Sequence, residues 1–131
     1  MIRVLIPRDK EFKKYKQECK KLYKSVQDKI CDTNSFEFII NNTFFYMFLD
    51  NNNFTGVLYF FIDEENKMYV NGFGKRKHFL HHLECVKLAL SWFNCDIYAK
   101  AQNRASALCL IKCGFKKIGK NIFIKNQKLY H

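Results

Sequence analysis

Apolar residues at Phe12, Tyr15, Cys19, Leu22, Val26 and Ile30 recur at intervals of three and four. That is the period of a helix with one buried face, and it predicts a helix over residues 10–30. Lys13, Lys14, Lys16, Lys20, Lys21 and Lys24 fall mostly on its other faces, and Asp9 is placed to cap its first amides. Ahead of it, residues 2–6 form a short apolar run ended by Pro7, which reads as a strand. Behind it, residues 36–40 read as a short extended segment. Residues 44–49 and 54–62 are rich in aromatic and β-branched side chains and are joined by Asp50, Asn51, Asn52 and Asn53, which favour a turn. A second turn over residues 63–67 leads to a strand over 68–73, so three antiparallel strands form a meander.

Gly72 and Gly74 interrupt this pattern, and Lys75, Arg76, Lys77 and His78 open a helix that runs to about Phe93. Its apolar positions Phe79, Leu83, Val86, Leu90 and Phe93, broadened by Leu80, Ala89 and Trp92, predict burial against a sheet. A strand over 96–101, a small-residue helix over 104–113 capped by Gly114, and strands over 115–118 and 121–125 complete the chain. The order is strand, helix, meander, helix, strand, helix, strand, without internal repeat or linker, which specifies one α+β domain. The crossover between strands 68–73 and 96–101 makes them parallel neighbours. Ligands of open sheets sit at the carboxyl ends of such strands, and residues 74–78 stand there at a helix start whose free amides suit a phosphate.

Length and composition adjust this picture in four ways. A chain of 131 residues suits a single domain, and 48% hydrophobic with 17% aromatic content excludes a disordered tail. No apolar run is long enough to span a bilayer, so a cytoplasmic protein with no membrane partner is expected. The six cysteines, at 19, 31, 85, 95, 109 and 113, form no compact framework and lie largely in apolar periodic segments. They read as small buried side chains in a reducing compartment. The net charge of +11 favours a polyanionic partner, although A/T-rich codon usage would enrich Lys, Asn, Ile, Phe and Tyr in the same way.

The segment Asn103-Arg-Ala-Ser-Ala-Leu-Cys-Leu-Ile-Lys-Cys-Gly-Phe115 carries a more specific pattern. With Asn103, Lys112, Gly114 and Phe115 at the family's spacing, it resembles the C-terminal motif of the GCN5-related N-acetyltransferases (GNAT). The resemblance implies a GNAT-like acyl-CoA N-acyltransferase fold: a mixed central sheet of about six or seven strands with helices on both faces. It further implies that acetyl-CoA lies in a wedge between the fourth and fifth strands and that its acetyl group passes to an amine of a protein or small molecule. Val70, Gly72 and Phe73 would then meet the pantetheine arm, Gly74, Lys75, Arg76, Lys77 and His78 the pyrophosphate, and Asn103, Ala107 and Leu110 the other side of the wedge. The acceptor is expected between the first helix and the hairpin turn at residues 50–53.

Two departures from the family pattern bear on chemistry. Only Gly72-Phe-Gly74 echoes the usual glycine-rich loop, with Tyr69 at its Gln/Arg position; alternatively the loop is shortened to residues 74–78, with cationic side chains replacing some amide contacts. Leu110 stands where the family carries a catalytic Tyr. Tyr69 and Tyr98, on the two wedge strands, are the candidate substitutes, and both also read as sheet aromatics packed under helices. For a general base, His78 has a suitable intrinsic pKa, and Glu64, Glu65 and Glu84 are the nearby acids.

Other readings of the same residues are more limited. His78, His82 and Cys85 share a helix face with His81 beside them, and Cys109 and Cys113 are one turn apart, but neither set has the spacing of a zinc site, and no metal is expected. Gly72-Phe-Gly-Lys echoes part of an RNA-recognition motif without its following aromatics. Two alternatives to transfer remain: a catalytically silent GNAT-like module, favoured by Leu110, and a basic nucleic-acid binder. The second rests on the lysine-rich first helix and on Lys116, Lys117, Lys120, Lys125 and Lys128.

Overall fold

The computed structural model describes residues 1–127, so Lys128 lies outside the described residues. The chain begins with β1 (Ile2–Leu5), followed by α1 (Phe12–Val26) and α2 (Phe36–Asn42). The meander is β2 (Phe44–Asp50), β3 (Asn53–Ile62) and β4 (Met68–Gly74). After it come α3 (Phe79–Leu90), β5 (Ile97–Lys100), α4 (Arg104–Lys112), β6 (Lys116–Gly119) and β7 (Ile122–Lys125). The strands make one sheet in the order β1-β2-β3-β4-β5-β7-β6, antiparallel throughout except for the parallel pair β4–β5. The expected α+β class is therefore present, and the mixed sheet, expected to hold about six or seven strands, has seven.

Each face of the sheet buries its own apolar cluster. Phe12, Tyr15, Cys19 and Tyr23 of α1 and Phe36 and Ile39 of α2 pack on Phe45, Met47, Tyr59 and Phe73. On the opposite face, Leu83, Val86, Ala89 and Leu90 of α3, with Cys113 and Phe115 after α4, pack on Phe60, Val70, Ile97, Ala99 and Phe123. Period-2 alternation in β4 produces this division: Phe73 enters the first cluster and Val70 the second. The tip of the β2–β3 hairpin places both Asn51 and Asn52 at positive φ (49° and 67°), as a two-residue type I′ turn requires.

Three local expectations are corrected. Residues 36–40 are helical rather than extended: Ser35 Oγ accepts the Phe38 N–H at 3.1 Å and Glu37 stands in the first turn. Helix α1 begins at Phe12 and ends at Val26, and Asp9 does not cap it, because its carboxylate instead accepts the Ile6 N–H at 2.8 Å. Residues 75–78 precede α3 as a turn, with Lys77 at φ 77°, and the helix starts at Phe79.

At its C-terminal end β4 leaves β5. The parallel pairing stops at Val70↔Ala99, while β4 stays paired to β3 as far as Gly74↔Gly56, and Ala101 N–H turns to the Asn121 carbonyl at 2.9 Å. A wedge-shaped gap opens between the two strands from Asn71 onward. Among the described residues, no helix is long and apolar enough to cross a membrane.

Candidate functional site

The open edge of β4 follows from its hydrogen-bond alternation. Lys75 N–H donates to Thr55 O at 2.9 Å, which sets the amides of Phe73, Asn71 and Tyr69 toward β3 and those of Gly74, Gly72 and Val70 toward the β5 side. Beyond Val70 that side has no strand partner. The Gly72 N–H is instead met by its neighbour's side chain, Asn71 Oδ1, at 2.8 Å.

The gap widens into a cleft of about 360 Å³ closed by α3 and α4. Val70, Gly72, Phe73 and Gly74 line it from β4, and Asn103 and Leu110 from the α4 side, so six of the expected residues meet there. Ala107 packs against the second cluster without lining the cleft, and Arg76, Lys77 and His78 are exposed on the turn beside α3. Lys75 turns toward α1, where its ammonium pairs with Glu18 and stands 5.5 Å from the centre of the Phe54 ring. Phe48, Leu58, His82, Lys100, Ser106 and Cys109 also line the cleft and were not anticipated. For Ser106 a signal existed, because it is the third residue of the helix that Asn103 starts. The others enter by long-range packing that periodicity does not encode.

Helix α4 is held at both ends by local chemistry. Asn103 Oδ1 accepts the Ser106 N–H at 2.9 Å at its start. At its end Phe115 N–H reaches Leu110 O at 2.9 Å and Gly114 N–H reaches Ile111 O at 3.0 Å, a Schellman motif with Gly114 at φ 91°. At the end of α4 the hydrogen bond between the Cys109 and Cys113 thiols, together with Lys87 and Lys125, lowers the Cys113 thiol from its ordinary value against the opposing effect of burial. The same bond and burial push Cys109 up.

The histidines after β4 are occupied structurally. His82 Nε2 donates to Lys75 O at 2.7 Å and its ring fills the space above Gly74, where a Cβ would lie 2.7 Å from it. Burial, the largest influence, keeps the His82 pKa below the usual imidazole value, with the nearby His81 and His78 acting in the same direction. Thr55 Oγ1 donates to Phe48 O at 3.1 Å, so His81 Nε2, 2.7 Å away, serves as the donor to Thr55. His78 is exposed and lines neither this cleft nor the one described next.

A second cleft of about 280 Å³ adjoins the first on the α1 side of the sheet. It lies between the loop after α1, at residues 31–34, and the ends of β3 and β4; Ile30, Val70, Asn71 and Lys100 line both clefts. It is therefore far along α1 from the β2–β3 turn where the acceptor was expected, since Tyr15 near the start of α1 reaches Asn52 O at 2.9 Å. Tyr69 lines this second cleft, its ring stacked on Phe61 at 5.9 Å and 5.5 Å from Tyr98. Tyr98 lines neither cleft.

No protein-family model and no curated protein sequence matches the chain. Solved structures do. An acetyltransferase of the GNAT family from Staphylococcus aureus Mu50 superposes with a TM-score of 0.65 at 14% identity, over 98% of this chain and 100% of its own. An N-acetyltransferase from the same source gives 0.66 at 15% identity, over 96% and 94%. A ribosomal-protein-S5-alanine acetyltransferase from Vibrio fischeri gives 0.54 at 17% identity, over 94% and 78%. Strand order, the β4–β5 wedge and these superpositions agree: the chain has the fold of the GNAT acetyltransferases.

Proposed function

We propose that the chain is an N-acetyltransferase that uses acetyl-CoA to acetylate an amine of a protein or small molecule. The observation that carries this reading is the gap at Val70↔Ala99, which leaves the Gly72 and Gly74 amides facing a cleft instead of a strand. The residues present fit acetyl-CoA. An extended arm can pair with an open strand edge, the lining is largely apolar, and its size lies within the usual range for small-molecule sites. The turn before α3 brings Arg76 and Lys77 to a helix start with no acidic residue in its first turn and no side-chain cap, which suits phosphate groups.

Acetyl-CoA, when bound, supplies an acetyl group activated as a thioester. The amide of Gly72 offers a donor for a carbonyl oxygen at the wedge, once Asn71 Oδ1 gives way. Phe48, Leu58 and Phe79 give the cleft apolar walls. Asn103 fixes the start of α4 against it. Leu110 cannot donate a proton to sulfur, and Tyr69 lies on the other face of the sheet; a thiol of ordinary pKa near 8.5 needs little acid assistance, and Lys100 brings a positive charge to the junction of the two clefts. A second reading, cofactor binding without transfer, is favoured by the same Leu110.

Titration with acetyl-CoA, followed by thermal unfolding, tests the proposal. Saturable stabilisation, weakened by Arg76→Gln with Lys77→Gln, is expected, together with release of free thiol in the presence of an amine panel. No stabilisation at millimolar acetyl-CoA would reject cofactor binding. Stabilisation without thiol release would favour the silent reading.

A further inference from the structure

Helix α1 carries six lysines, Lys13, Lys14, Lys16, Lys20, Lys21 and Lys24, within its 15 residues. Composition alone does not concentrate them there. A/T-rich codon usage enriches Lys and Asn together and acts on every helix, yet α1 contains no Asn, and α3 and α4 carry one lysine each, Lys87 and Lys112. The only acid on α1, Glu18, is engaged by Lys75, and Lys20 pairs with Glu37 of α2 at 2.9 Å. Lys13, Lys14, Lys21 and Lys24 are exposed and enter no ion pair among the described residues. Lys13 and Lys14 stand in the first turn, with neither an acidic residue nor a side-chain cap beside them, where the helix dipole disfavours cations. Lys20 and Lys24 add a like-charge pair at i, i+4. The fold itself gains nothing from these charges, whereas a bound polyanion would reverse both effects.

The four free lysines lie in two rows on the outward face, Lys13 with Lys24 and Lys14 with Lys21. The longer row covers three helical turns, about 16 Å. That exceeds any single phosphate group and suits a polymer with about one charge per 3.4 Å of each strand. The other exposed side chains of this face are Gln17, Glu18 and Ser25. Tyr15 and Tyr23 point into the core, where their hydroxyls donate to Asn52 O at 2.9 Å and Asn34 O at 2.6 Å. The face therefore has no aromatic ring to stack single-stranded bases and no apolar side chain to enter a bilayer. It also lacks the Trp, Tyr and Arg anchors of protein interfaces. What it does present, flexible ammonium groups, holds phosphates without reading sequence.

We propose that the outward face of α1 binds the phosphate backbone of double-stranded nucleic acid, without regard to sequence. None of its four free lysines lines either cleft, so this surface is independent of the acetyl-CoA reading.

Fluorescence anisotropy of the full chain with a short labelled DNA duplex, the matching RNA duplex and one single strand tests this. Binding of either duplex in preference to the single strand is expected, the tighter one identifying the partner, and a scrambled duplex should bind equally. Log affinity should fall with log salt at a slope of about −3.6, from four phosphate contacts at about −0.9 each. Replacing Lys13, Lys14, Lys21 and Lys24 together by Gln should remove most of that slope and cost more than about tenfold in affinity at low salt. Its melting temperature should not fall, since like-charge repulsion is relieved, so lost binding is not lost folding. A matched variant with Gln at the exposed Lys112, Lys116, Lys117 and Lys120 removes equal charge and should keep both affinity and slope. Equal losses in the two variants, an unaffected α1 variant, preference for the single strand, or equal binding to polyglutamate or phosphatidylserine vesicles would each overturn the assignment.

Discussion

Asn103 combines two functions in one side chain: its Oδ1 caps α4 through Ser106 N–H, and the residue lines the wedge. Asn103→Ala is expected to lower stability by about 1 kcal/mol, read as a reduced denaturation midpoint at constant m-value, with Asn103→Asp or Ser restoring most of it. That role was legible because it is local, an acceptor three residues from its donor, as was the Schellman end at Gly114. The hydrogen bonding of Asp32 was not. Its partner Tyr59 is 27 positions away, and the Asn71 contact to Ile30 spans 41, so no spacing rule connects them. Leu110 falls between these cases: the motif placed it beside the cofactor wedge, where it does line the cleft, but only the three-dimensional arrangement puts Tyr69 on the opposite face.

At the level of elements, α2 shows how a five-residue apolar run misleads. Phe36, Phe38 and Ile40 alternate with Glu37 and Ile39 as a strand would, yet Phe36 and Ile39 are the buried pair, at helical spacing. Ser35 was the decisive signal, an N-cap just ahead of the run. Helix α3 carries a pH dependence of its own. His82 is half-buried beneath the turn it holds, and its folded pKa lies below the unfolded value near 6.5. The unfolded chain then binds the extra proton first, so this contribution is complete above about pH 6.5 and declines as pH falls toward the depressed folded value. His82→Gln, which keeps a donor for the Lys75 carbonyl without titrating there, should flatten the fall in melting temperature between neutral and mildly acidic pH.

For the whole molecule, the meander and the parallel β4–β5 pair were readable from connection lengths, whereas the pairing of β1 with β2 and the insertion of β7 between β5 and β6 were not. The wedge was implied only by resemblance, because where β4 and β5 part depends on which neighbour each strand follows beyond Val70. The basic charge acts at this scale too. If Arg76 and Lys77 meet phosphates, acetyl-CoA affinity should fall steadily as salt rises from low to physiological and higher ionic strength, and the double Gln variant should show a shallower slope by calorimetry. The parting of β4 from β5 has a further consequence. Sheets normally carry their unpaired edges at the outside, where charge or short length guards them against pairing with other chains. Here such an edge lies in the middle of a seven-stranded sheet, roofed by α3 and α4. Unpaired strand donors thus stand at the centre of the molecule beneath two helices, where another chain reaches them less readily than at an outer rim.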